Sequence, residues 1–110
     1  MMNDIGFVQY SKNTNKKIIE ATWFYLMNRE KISGTGIVKG KFDNTFAGDF
    51  NVKYYNKEGV ETSNYKLIIT LEENQYQLKW ITNDIVEYFG IGIEYDNKLF
   101  AGWRKFQEYL

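Results

Sequence analysis

The sequence predicts an all-β protein, an antiparallel meander closed into a small barrel of seven or eight strands, with an internal two-fold repeat. From residue 44 onward apolar and polar side chains alternate with a period of two, the pattern of half-buried antiparallel strands. Asn, Asp and Gly punctuate that alternation at short intervals, as tight turns require. Two stretches also say nearly the same thing. "GTGIVKGKFDNTFAG" (34–48) and "GIGIEYDNKLFAGW" (90–103) share Gly-x-Gly-Ile, Asp-Asn and Phe-Ala-Gly.

Residues 1–15 read as a strand or a lead-in, without the basic start and apolar run of a signal peptide. Residues 16–31 admit two readings. A helix would gather Ile19, Trp23, Leu26 and Met27 on one face, capped by "NTN" and stopped at Gly34. A strand would set Ala21, Trp23, Tyr25 and Met27 on one side, with "NREK" as the turn. The repeat favours the strand: Trp23 precedes Trp80 by 57 residues and Gly34 precedes Gly90 by 56. The first copy then spans residues 21–50 and the second 78–105, and the two are expected to superpose, Trp23 on Trp80 and Gly34 on Gly90.

"FAGDFNVKYY" puts Phe46, Gly48, Phe50, Val52 and Tyr54 on one face. "YKLIITL" does the same for Tyr65, Leu67, Ile69 and Leu71, and "QYQLKW" for Tyr76, Leu78 and Trp80. "IVEYFGIGIEY", the turn "DN" and "LFAGWRKF" complete the series. Glycine is unfavourable inside a strand and marks a bend or a close neighbour. The pairs Gly34/Gly36 and Gly90/Gly92 therefore predict two coiled places where the sheet rolls up, and closure removes bare strand edges.

The 110 residues make one domain. Fourteen basic and fourteen acidic residues cancel, which argues against non-specific nucleic-acid binding. "FGIGIEY" is superficially like an RNA-binding strand, but Ile91 and Ile93 occupy the positions where stacking aromatics would stand. Cysteine and histidine are absent, so disulfides, thiolate metal sites and most serine, cysteine and zinc mechanisms have no residues to use. Glu87 and Glu94 lie at odd separation on one strand and face opposite sides, so no carboxylate pair is evident. The expectation is a non-enzymatic, cytoplasmic protein without a cofactor, and without a nucleic-acid or membrane partner.

Aromatics are abundant: three Trp, nine Tyr and eight Phe. Trp23, "FAGDF", "QLKW" and "LFAGW" together resemble calycin-like barrels of the avidin and lipocalin kind, and in layout the avidin family most closely. The resemblance covers residues 21–106. It implies a barrel with a ligand pocket, with Phe46, Gly48 and Phe50 on the first strand motif and Trp80 and Trp103 as the two pocket tryptophans. The family's motif tyrosine is Phe50 here and cannot donate a hydrogen bond, so biotin is expected to bind poorly. The chain also resembles small bacterial barrels with a Gly-x-Gly and Leu-Ala-x-Gly-Trp ending, which imply no activity.

Two functional classes follow. The first is a binding barrel for a small, partly apolar or aromatic ligand, flat and modestly polar, with candidate site residues Trp23, Phe50, Tyr76, Trp80, Tyr88, Trp103 and Arg104. The second is a filled barrel that binds a protein partner, or a second copy of itself, through surface tyrosines such as Tyr54, Tyr55, Tyr88 and Tyr95.

Overall fold

The computed structural model describes residues 4–106. Eight strands follow one another: β1 (Ile5–Asn13), β2 (Ile18–Met27), β3 (Glu30–Lys39), β4 (Gly48–Asn56), β5 (Glu61–Glu72), β6 (Gln75–Thr82), β7 (Ile85–Tyr95) and β8 (Lys98–Lys105). Each pairs antiparallel with the next, and β8 returns to β1, which closes the barrel.

Residues 5–13 are a full barrel strand rather than a lead-in. Val8 stands opposite Trp23 on β2 and Ala101 on β8. The strand hides in the sequence because both of its faces are apolar: Val8 and Tyr10 are buried inside, whereas Ile5 and Phe7 are exposed outside. Residues 18–27 are a strand and not a helix, with Ile19 and Ala21 buried and Glu20, Thr22 and Phe24 exposed. Asn28 and Arg29 make its turn at φ 50° and 70°. Asn83–Asp84 (φ 51° and 65°) and Asp96–Asn97 (φ 55° and 63°) do the same, the left-handed pairs that match strand twist in two-residue hairpins.

The two halves share strand order but not register, which corrects the expected superposition. Trp23 stands opposite Gly34, whereas Gly90 stands opposite Leu78, and Trp80 opposite Tyr88. A slip of two residues leaves every side chain on its face, so the pattern of inward residues does not reveal it. The Asp-Asn pairs differ too. Asp96–Asn97 is a hairpin turn, but Asp43 and Asn44 lie within a long connection between β3 and β4. Phe46 is buried at the barrel end, while its counterpart Phe100 sits on β8 facing outward beside Phe7, with ring centroids 6.3 Å apart.

That long connection stoppers one end of the barrel. The Phe46 ring stands edge-on to Tyr76 at 6.3 Å, and the Phe46 N–H donates to the Tyr76 hydroxyl at 3.3 Å. Tyr76 in turn donates to Glu94 at 2.8 Å. Lys12 lies 4.6 Å from the Phe46 ring centroid and donates to the Asp43 carbonyl at 2.8 Å. Hydrogen bonds from the Thr45 backbone N–H and hydroxyl hold the exposed Asp43 carboxyl below its usual range. Between stopper and opposite end the core is continuous, with Val52, Leu67, Ile69, Leu78 and Leu99 almost fully buried.

Candidate functional site

The end opposite the stopper is open, and aromatic rings surround it. A cavity of about 120 Å³ is lined by Val8, Trp23, Tyr25, Tyr54, Thr62, Ser63, Tyr65, Trp80, Tyr88 and Trp103. Six of these rings follow one another around the opening, linked by five neighbouring pairs. Trp23 meets Tyr54 at 6.4 Å, Tyr54 meets Tyr65 at 6.2 Å, and Tyr65 meets Tyr88 at 5.9 Å. Tyr88 then meets Trp103 at 5.2 Å, and Trp103 meets Tyr25 at 4.6 Å. Tyr25 and Trp23, at the two ends of this series, share the inner face of β2. Trp80 lies beneath, 6.2 Å from Trp103.

Glycines make room for these rings. Trp103 lies so close over Gly6 that a side chain there would collide with its indole, and Trp23 lies over Gly34 in the same way. Gly90 sits between Trp80 and Trp103: a β-carbon there would stand 3.1 Å from Trp80 Cζ3 and 3.2 Å from Trp103 Cβ. The nearest atom of all to that position is the Gly102 carbonyl oxygen, at 2.7 Å, so Gly90 also lets β7 and β8 lie close together. Two β-bulges also lie at this rim. Tyr54 faces Ser63 and Tyr55 faces Glu61, leaving Thr62 over, and Trp80 faces Tyr88 and Ile81 faces Val86, leaving Glu87 over. Bulges concentrate at barrel rims and beside functional sites, where they re-aim side chains.

The polar atoms of the floor are already used. Trp80 Nε1 donates to the Tyr54 hydroxyl at 2.7 Å, and the Tyr54 and Tyr10 hydroxyls share a hydrogen bond of 2.8 Å. Trp23 Nε1 turns away and donates to the Thr35 carbonyl at 2.9 Å. Among the described residues, no carboxylate, lysine or arginine lines the cavity.

Desolvation raises the phenols of Tyr10 and Tyr54, and pushes Tyr65 up to about 12. The unfolded chain releases these protons near the ordinary value of 10.0. Above that pH the unfolded state holds fewer protons than the barrel, so stability falls as pH rises. The contribution is intact below about pH 10 and is lost as pH climbs through the folded values, each fully buried tyrosine weighing about 1.4 kcal/mol per pH unit. Urea unfolding at about pH 8 and about pH 11 should show a clearly lower midpoint at the higher pH. Equal midpoints would contradict this burial.

Of the sequence-derived site residues, Trp23, Trp80, Tyr88 and Trp103 come together at this cavity. Phe50 and Tyr76 point inward but belong to the stoppered half, Phe50 beside Gly48 and Tyr76 against Phe46. Arg104 faces outward opposite Phe89 and is exposed. Tyr25, Tyr54 and Tyr65 were missed, although each shares the alternating face of a residue the sequence places inside. Tyr54 is 8% exposed and Tyr88 lines the cavity, so neither is a free surface tyrosine; Tyr95, at 72%, is. Glu94, hydrogen-bonded to Tyr76, belongs to the stoppered end, and Glu87 acts on Tyr65 at the open end, so the two stand apart.

The closed eight-stranded meander is the architecture of calycin-like barrels in general. No family model, no curated protein and no solved structure matches the chain.

Proposed function

We propose that this protein is a non-catalytic binding barrel that holds a small, partly apolar ligand in the ring of aromatic side chains at its open end. The observation that carries the reading is the asymmetry of the two ends. One end is filled by Phe46, while the other keeps a cavity walled by seven aromatic residues. A core built only for stability has no need to hold that volume open, since empty apolar space is destabilising. Ligand sites are concave, mainly apolar and furnished with a few polar groups, which here are the hydroxyls of Ser63, Thr62 and the rim tyrosines. The cavity is smaller than the roughly 300 Å³ at which drug-sized sites begin, so it suits a head group or a small molecule.

The likeness to avidins extends to the three tryptophans and stops at Phe50, which lies away from the cavity. Biotin is accordingly not the expected ligand. The test is a tryptophan-fluorescence titration with a panel of small aromatic and aliphatic compounds, run beside biotin and a Trp103→Leu variant. Saturable change with one class, lost in the variant, is the expected result. Unchanged emission with every compound would overturn the reading.

A second reading is favoured by the outer surface of β2, β1, β8 and β7. There Phe7 stands opposite Phe24 on one side and Gly102 on the other, and Gly102 stands opposite Ile91. Ile5, Phe7, Phe24, Ile91 and Ile93 are each 44–58% exposed. Such contiguous apolar surface is characteristic of protein interfaces, which suits a protein-interaction role.

A further inference from the structure

Resting on the reading that the open end holds a ligand, we propose that its guest is a methylated ammonium group, bound as a compact cation inside the ring of aromatic faces. The inclination of the rings suits a rounded guest. Successive rings here stand at 78°, 57°, 84° and 87° around Trp23, Tyr54, Tyr65, Tyr88 and Trp103, and Trp103 meets Tyr25 at 39°. Such steeply inclined neighbours offer a rounded guest contact from several sides. A cavity of about 120 Å³ fits that compact shape.

The electrostatics point the same way. Aromatic faces carry the negative part of the ring quadrupole and attract cations, Trp and Tyr most strongly. Among the described residues the lining has no charged side chain, so an anion meets no cation there. Two carboxylates stand by the rim outside the lining. Glu87 is the extra residue of the β7 bulge next to Tyr88, and its charge adds to burial in raising Tyr65, as that of Asp4 adds to burial in raising Tyr25. Lys105, opposite Tyr88, is exposed and is the basic group nearest in register. Methylation matters because a bare ammonium is strongly hydrated and would lose that water in an apolar site, whereas methyl groups both weaken hydration and fill the volume.

The measurement compares choline with its neutral carbon isostere, in which a quaternary carbon replaces the nitrogen, by calorimetry and tryptophan fluorescence on the full chain. Choline is expected to bind on the order of tenfold more tightly, the size of a partly desolvated cation–π contribution. Tyr65→Leu should remove that preference, and Glu87→Gln should weaken choline several-fold while leaving the isostere unchanged. A peptide bearing trimethyllysine, run in parallel, separates the two sources of this group. Tighter binding of the peptide places the guest on a protein chain, and tighter binding of choline makes it a free metabolite. Equal binding of choline and isostere, or binding of small aromatics without either, would overturn the cation and leave the pocket standing. Silence from every compound would overturn both.

Discussion

Trp80→Ala is expected to lower stability by roughly 3–5 kcal/mol, the usual range for a buried Trp truncated to Ala. Trp80 is only 3% exposed, packs 6.2 Å from Trp103 and donates its indole N–H to Tyr54. Its removal leaves a void beneath the cavity and takes one donor from a buried hydroxyl that then depends on Tyr10 alone. A domain of this size has about 5–15 kcal/mol in total, so the variant should unfold at a much lower urea concentration. Trp80→Phe, which keeps most of the ring and loses only the donor, should cost far less. Equal losses in the two variants would mean that the hydrogen bond, and not the packing, dominates this site.

The second large effect is expected at Gly34. A β-carbon there would collide with the Tyr55 carbonyl on β4 and would stand 2.8 Å from Trp23 Cζ2. The indole can swing, but the carbonyl belongs to the strand backbone, so β3 and β4 must separate or tilt. Overpacking of this kind costs roughly 1–3 kcal/mol and more where backbone must move. Gly34→Ala should therefore lose about 3 kcal/mol, and should also shift the Trp23 emission because its seat is gone. Gly59→Ala offers a contrast: among the described residues nothing lies within 4 Å of its β-carbon position, and the obstacle is its φ of 83°. Thermal melts of the two variants separate steric collision from backbone preference, and a Gly34→Ala protein as stable as the wild type would contradict the close approach.

The barrel was legible because period-two alternation needs no knowledge of partners. Leu67, Ile69, Leu78 and Trp80 announce their face in the sequence and occupy it in the fold. β1 was harder, since Ile5 and Phe7 make its outer face as apolar as its inner one. The repeat correctly turned residues 18–27 into a strand, yet it overstated the likeness of the halves. Identical words serve different ends: Phe46 stoppers the barrel from a connection, and Phe100 faces outward from a strand. A motif records which side chains are present, while register and loop length decide where they go.

The candidate site was half legible for a related reason. Trp23, Trp80, Tyr88 and Trp103 could be named because tryptophans and their face-mates stand out. The split between an open and a filled half could not, because it depends on how the connection after β3 folds back. The bulges at Thr62 and Glu87 are also invisible in a pattern of alternation, although they shape the rim on which Tyr65 and Tyr88 stand. Arg104 illustrates the opposite error. Its neighbour Trp103 points in, so Arg104 must point out, and parity alone places it on the surface.

The central claim, that the open end of the barrel is a binding site, is tested most directly by two-dimensional NMR of the indole N–H signals during ligand titration. All three tryptophans line the cavity, so they give three reporters at one place. Saturable shifts of the Trp23, Trp80 and Trp103 indole signals are expected, with the backbone amides of Phe7, Ile91 and Ile93 on the outer face unmoved. Indole signals that stay fixed with every compound, while the outer-face amides respond to a protein partner or to self-association, would contradict the binding barrel and make the apolar outer surface the functional one.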